Sequence, residues 1–410
     1  MNAFAPLQGV LTPWWHDAVF YRVDLRSFAD SSEDGVGDLD GARGRLGYLE
    51  LLGVDALWLT ALLAAPLTDE RGRSVDPVLG DVRSFELLVE EAHDAGLRVA
   101  VDVAVQRSLA GALSGRPEFA DAVRFWLDRG IDGLRISAVP GNAEPAGEAV
   151  REALRALRPV LSDYPDRGVG VLIDETWFDR YDEPPDWDIG IDLRLGRTAF
   201  NAGALQEMIT RMLASAAGLG VRPVWVATSD DRTHPVARFG GGATAQAQAR
   251  ALALVTLALP GVVGLDNGEE LVLPPGASGR LSGAPVRSPM PWEGSEPPFG
   301  FSAAPAGWWP MDEKWVEYTV EAQLENPASA LSLYRRALEL RKEHSALRGD
   351  RVDWFGAPSG CFAFRRQPGN LTCALNASPD PVALPPGEVL LSSGELDGDR
   401  LPGNTAVWLV

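Results

Sequence analysis

The chain has 410 residues, long enough for a barrel-sized domain and a smaller second unit. Hydrophobic residues make up 46% and charged residues 23%, which is ordinary globular usage and excludes a disordered or fibrous chain. A net charge of −20 repels phosphate backbones and anionic lipid, so neither nucleic acid nor a membrane is an expected partner.

The opening MNAFAPLQGV lacks a basic stretch followed by an apolar one, and no run approaches the roughly 20 apolar residues of a membrane span. A cytoplasmic location is the resulting expectation. From residue 18 to about 345, short β-branched runs alternate with helical patterns, the rhythm of parallel strands joined by crossover helices. Eight strands are predicted to begin near Val19, Ala56, Val99, Gly133, Val169, Ile189, Val224 and Val262, with amphipathic stretches such as Ser84–Ala95 and Glu118–Asp128 between them. The expected fold class is α/β: a (β/α)8 TIM barrel over residues 1–349, followed by a small C-terminal all-β domain over 350–410. Pro274 to Pro310 reads as a long loop feeding a last helix at about Ala328–His344. After it, GCFAFRR, NLTCALN, GEVLLSS and TAVWLV alternate like antiparallel strands, fitting either a β-sandwich or an open sheet laid on the barrel. Cys361 and Cys373 sit in these apolar segments and are expected to be reduced, buried thiols.

Residues 14–60, WWHDAVFYRVDLRSFADSSEDGVGDLDGARGRLGYLELLGVDALWLT, resemble the opening of α-amylase-family glycoside hydrolases, particularly bacterial α-glucosidases, oligo-1,6-glucosidases and trehalose synthases. The resemblance resumes in VDPVLGDVRSFELLVEEAHDAGLRVAVDV, FWLDRGIDGLRIS, VLIDE, the Asp231 to Gly240 region and SPMPWEG, and it spans most of the chain. It implies retaining chemistry, in which two carboxyl groups about 5 Å apart attack the anomeric carbon and protonate the leaving oxygen.

The motifs depart from that pattern where the chemistry is done. Strand four reads GLRISAV, so the resemblance puts Arg135 on the family's arginine and Ser137 on its nucleophilic aspartate. A serine hydroxyl is uncharged at neutral pH and needs an adjacent base to attack. Glu175, ending VLIDE, falls on the general acid; its neighbour Asp174 is expected on the opposite strand face, and Glu175 either keeps that role or only pairs with Arg135. In SDDRTHPVARFG, Asp231 falls on the transition-state aspartate and Asp230 on a histidine, while His234 is the one histidine near these motifs. In VDVAVQRS, Asp102 is kept as a sugar-site residue, whereas Gln106 and Arg107 replace Asn and His. RSLAGALSGRPE bridges directly to the next helix where relatives carry the inserted domain B that walls the cleft. Trp177, two residues past Glu175, is the aromatic most suited to stack on a sugar, set against the usual role of tryptophan in cores.

The loop Asp30-Ser31-Ser32-Glu33-Asp34-Gly35-Val36-Gly37-Asp38 resembles the family's calcium loop. That implies Ca2+ held by Asp30, Ser32, Asp34, Asp38 and the Val36 carbonyl; a capped acidic turn without an ion is the other reading. The expected function is a catalytically impaired or inactive α-amylase-family homologue, an interaction or regulatory subunit docked to a sugar-active enzyme or to itself. The heavy chains of amino-acid transporters, similar to α-glucosidases and without domain B, are the precedent. An α-glucoside hydrolase using Glu175 and Asp231, and a sugar-binding protein using Arg135, Asp231 and Trp177, stand as alternatives.

Overall fold

A computed structural model describes residues 13–60, 62–63, 70–106, 117–139, 146–173, 188–228, 233–275, 288–304 and 309–410. Eight parallel strands close on themselves: β1 (Val19–Asp24), β2 (Ala56–Thr60), β3 (Arg98–Gln106), β4 (Gly133–Val139), β5 (Gly168–Ile173), β6 (Ile189–Asp192), β7 (Arg222–Val226) and β8 (Val262–Asp266). Each starts within two residues of its predicted position. Closure comes from β8 pairing with β1, with Arg22 opposite Asp266. At the last turn before β8, Gly261 has φ 105°, and a Cβ there would lie 2.7 Å from the Pro223 carbonyl oxygen, so only glycine fits.

The crossover helices follow from periodicity and capping. Helix Val82–Asp94 begins where the Asp81 carboxylate accepts from the Ser84 amide at 2.8 Å, and it buries Phe85, Leu88, Val89 and Ala92, one stripe at helical spacing. Each such side chain contributes about 1.5–3 kcal/mol by leaving water. Helix Ala330–Glu343, capped by Ser329, buries Leu331, Tyr334, Ala337 and Leu338 in the same way. Between β3 and helix Pro117–Leu127 the chain has only residues 107–116, which leaves no length for an inserted domain.

From Arg351 the chain is all β. β9 (Arg351–Phe355), β10 (Cys361–Gln367), β11 (Thr372–Asn376), β13 (Val389–Ser392) and β15 (Thr405–Leu409) form an antiparallel sheet in the order 13-15-11-10-9, beside a ribbon of β12 (Val382–Ala383) and β14 (Arg400–Leu401). One face of the sheet packs Phe362, Phe364, Cys373, Leu375 and Trp408 into the barrel's core, and the other packs Ala374, Val407 and Leu409 against Leu401 of the ribbon. Both cysteines are free thiols.

Buried arginines fasten this seam. Arg341 donates to the carbonyls of Leu257 at 2.6 Å and Leu259 at 2.9 Å, and Arg366 donates to Ala258 at 3.0 Å and to Gly349. The carbonyls of Leu257, Ala258 and Leu259 lie at the end of helix Gly242–Ala258 and just beyond it, where helix geometry supplies no donors. Among the described residues, no helix is long and apolar enough to cross a membrane.

Candidate functional site

In a (β/α)8 barrel the strands' carboxyl ends deliver functional side chains, and alternate residues of each strand face the interior. Arg22 on β1, Trp58 on β2, Asp102 on β3, Arg135 on β4 and Asp266 on β8 meet there. Arg135 Nη1 donates to both Asp102 oxygens, at 2.8 and 2.7 Å, and Trp58 Nε1 donates to Asp102 Oδ1 at 2.7 Å. The Arg135 guanidinium also lies over the Trp58 ring, 4.4 Å from its centroid. Across the barrel, Arg22 Nε lies 2.6 Å from Asp266 Oδ1, and its Nη2 donates to Oδ2 at 2.9 Å.

These groups are 10% exposed or less, except the Asp102 side chain at 16%. Isolated charges at such depth cost several kcal/mol each, so pairing is what keeps them tolerable. Two guanidiniums thus answer two carboxylates, and Trp58 lies beneath one pair and within 6.0 Å of the other guanidinium. Chemically, this floor can orient a neutral polar ligand.

The register places the expected residues unevenly. Asp102 stands opposite Arg135, and Ser137, two residues further along β4, stands opposite Ala104. Gln106 ends β3 opposite Val139. Glu175, Trp177, Asp174, Asp230, Asp231 and Arg107 lie outside the described residues. His234 is half-buried; desolvation pulls its pKa down, against the opposing pull of Asp266, which favours the neutral imidazole. Sequence reasoning missed Arg22, Trp58 and Asp266. An arginine inside the buried run VFYRVD and an aspartate ending VVGLD are the signals, since a lone charge in a fully buried strand needs a partner.

Below Trp58 and Arg135 lies a cavity of about 30 Å3 lined by Trp14, Trp15, Phe20, Gly133 and Gly168, among others. It occupies the lower barrel, away from the strand ends where such folds place their chemistry.

The loop after β1 is closed by its own donors. Asp30 accepts from the amides of Ser32 at 3.0 Å, Glu33 at 2.9 Å and Gly35 at 2.7 Å, and from the Ser302 hydroxyl at 2.5 Å. Asp38 accepts from the amides of Ser31, Ser32 and Gly41 and from the Ser31 hydroxyl. Burial works against ionisation of Asp30, but the bonds from Ser302, Gly35, Glu33 and Ser32 hold its carboxyl below the usual range. No Cβ fits at Gly37 or Gly41, where it would lie 2.1 Å from the Leu25 carbonyl oxygen and 2.2 Å from that of Ala29. Asp34 accepts from the Val36 amide at 2.8 Å, and the oxygens of Asp30, Asp34 and Asp38 do not gather within 4.8 Å of one another. As placed, Asp30, Ser32, Asp34, Val36 and Asp38 form a hydrogen-bonded turn whose three carboxylates do not converge on one point. Among the described residues, only His16, Asp17 and Asp350 gather so closely, and Arg222 already bonds both of those carboxylates, at 2.6 and 2.9 Å.

Known proteins share this architecture. The family model described as the α-amylase catalytic domain matches residues 23–108 and 194–350. A probable α-glucosidase of Rhizobium meliloti (strain 1021) is 25% identical over 89% of this chain and 89% of its own. An amino acid transporter heavy chain of Rattus norvegicus is 37% identical over 22% of this chain and 14% of its own. The crystal structure of the α-glucosyl transfer enzyme XgtA superposes with a TM-score of 0.79 at 25% identity, covering 98% of this chain and 100% of that one.

Proposed function

This chain belongs to the α-amylase family of glycoside hydrolases, and from that premise we propose that it no longer cleaves glycosides and serves as an interaction or regulatory subunit linked to carbohydrate metabolism. The observation that carries the reading is Ser137, two residues past Arg135 on β4, where the family's motif has its attacking carboxylate. The pairing of Arg135 with Asp102 supports it, because that guanidinium is already neutralised and stacked on Trp58. The short 107–116 connection adds support: without a wall over the mouth, water screens the electrostatics that glycoside cleavage requires.

The partner is a sugar-active enzyme or a second copy of this chain, in the cytoplasm, with an α-glucoside as the ligand of the floor. For the Asp30–Asp38 loop we propose the ion-free turn; calcium is the ion it would take if its carboxylates turned inward. Recovery of a stoichiometric partner from the native cell is the expected result. A strictly monomeric mass with no partner recovered rejects the subunit role.

Glu175 and Asp231 sustain a second reading, inverting hydrolysis by directly activated water, which needs the two carboxyls about 6.5–9.5 Å apart. Aryl α-glucosides incubated with the protein and with Glu175→Gln decide between them. Equal background rates are expected; turnover lost specifically in Glu175→Gln establishes the hydrolase. Ser137→Asp alone is expected not to restore hydrolysis, given Gln106, Arg107 and Asp230. Heat on titration with maltose, isomaltose or trehalose, without turnover, identifies a sugar binder.

A further inference from the structure

Directly after β8, the turn Glu269–Leu271 carries two neighbouring carboxyls into the core, Glu269 at 4% exposure and Glu270 at 0%. Their partners are hydroxyls and one amide. Glu270 Oε1 accepts from Tyr21 of β1 at 2.9 Å and from Tyr48 of helix Leu46–Leu52, and the Tyr21 oxygen in turn accepts from the Gly268 amide at 2.9 Å. Glu269 Oε2 accepts from the Thr228 hydroxyl at 2.8 Å and the Asp266 amide at 3.4 Å, and its Oε1 from Tyr334 of helix Ala330–Glu343 at 3.4 Å. Two adjacent side chains therefore tie together β1, the end of β7, the β8 turn and two helices. These are the elements that close the barrel.

No arginine or lysine is bonded to either carboxyl among the described residues. The nearby charges are otherwise engaged or remote: Asp266 is paired with Arg22, Arg238 acts on Glu269 at longer range, and His234 is neutral beside Asp266. Arg335 and Arg250 act on Tyr48 and Tyr334 respectively. Glu270 Oε2 has no hydrogen-bond partner. Two negative charges side by side, close to Asp266, have only hydrogen bonds from hydroxyls and amides to offset their desolvation and no bonded cation, whereas two neutral acids need none. Burial accordingly pushes both carboxyls up to about 7.

We propose that Glu269 and Glu270 form a proton-held clasp that closes the barrel seam at its mouth and loosens as the pH rises. Ionisation leaves the phenols and Thr228 as donors but places two unpaired charges in the core, so the turn gains by moving toward water. The clasp thereby couples solution pH to the shape of the β8–β1 side of the mouth.

Glutamine mimics the neutral acid, keeps the acceptor oxygen and lets the variant fold, so Glu269→Gln, Glu270→Gln and their combination test the clasp in the full chain. Unfolding followed by calorimetry in buffers of different ionisation enthalpy is expected to show wild type releasing up to about two more protons than the double variant at about pH 6. The double variant is expected to melt above wild type at about pH 8. Amide exchange in the β8 turn, corrected for intrinsic base catalysis, is expected to report an opening equilibrium that rises up to about 100-fold per pH unit in wild type between the two carboxyls' unfolded and folded pKa values, and stays flat in the double variant. A wild-type pH slope retained in the double variant, or a double variant that melts below wild type at about pH 8, shows the carboxyls to be ionised in the folded state and overturns the proposal. Infrared spectra supply an independent measure: failure to find a protonated carboxyl band in wild type at about pH 6 overturns it as well.

Discussion

Two sets of acidic side chains inside the barrel have opposite kinds of partner. In the barrel centre, Asp102 and Asp266 each meet a guanidinium, while in the turn after β8, Glu269 and Glu270 meet only hydroxyls and one backbone amide. Depth is similar for Asp266, Glu269 and Glu270, all at 4% exposure or less, so the chemistry of the partner decides. A guanidinium answers a carboxylate with opposite charge; hydroxyl donors answer it only with hydrogen bonds, and burial outweighs them at Glu269 and Glu270.

The most forceful way to break that comparison is to remove a cation from the first set. Arg22→Met removes the guanidinium bonded to Asp266 and is expected to destabilise by about 3–5 kcal/mol in urea unfolding, whereas Arg22→Met with Asp266→Leu recovers most of the loss. A single variant as stable as wild type would place Asp266 among the proton-holding acids. Next in size is Arg341→Met, which leaves the carbonyls of Leu257 and Leu259 without a donor; about 2–3 kcal/mol is expected, read by the same unfolding curve.

The pH response of the second set is smaller, and its sign is fixed. Glu269 and Glu270 have folded pKa values raised from 4.5 to about 7, so their stabilising effect is fully present below about 4.5 and is lost as the pH rises through about 7. Each contributes a slope of up to about 1.4 kcal/mol per pH unit within that window. Melting temperatures from about pH 5 to 8 check it, and the guanidinium-paired set supplies the contrast, since Asp102→Asn is expected to leave this slope in place. The smallest effect is expected at the loop after β1, whose carboxylates are satisfied by amides and hydroxyls: chelator should leave the melting temperature unchanged. A rise of several degrees with added calcium would show that the loop rearranges around an ion.

The barrel was legible because its signal is repeated: eight largely apolar runs such as ALWLT and VVGLD, spaced by amphipathic stretches, leave little freedom in strand order. The short strands Val382–Ala383 and Arg400–Leu401 were not, since two residues carry no period, and β9 was hidden by the exposed ends of Arg351–Phe355. At the site, Asp102 and Arg135 were named from motif resemblance, and their mutual bond follows from adjacent register on β3 and β4. Arg22, Asp266 and the Glu269–Glu270 pair escaped because their partners are far away in sequence: Asp266 finds Arg22 across the closure of the barrel, and Glu270 finds Tyr21 and Tyr48 on other elements. Motif reading sees residues close together in the chain; ring closure brings together its two ends.

The small void beneath Trp58 bears on mechanical compliance. A filled barrel resists compression, but here a small cavity remains beside Trp14, Trp15 and Phe20, with the Trp15 ring closely packed on Gly168. Unfolding eliminates internal voids, and the accompanying volume decrease scales with them. Hydrostatic pressure is therefore expected to act at the lower end of the barrel, where Ala100→Val would add bulk to a cavity that Trp58 and Arg135 also line.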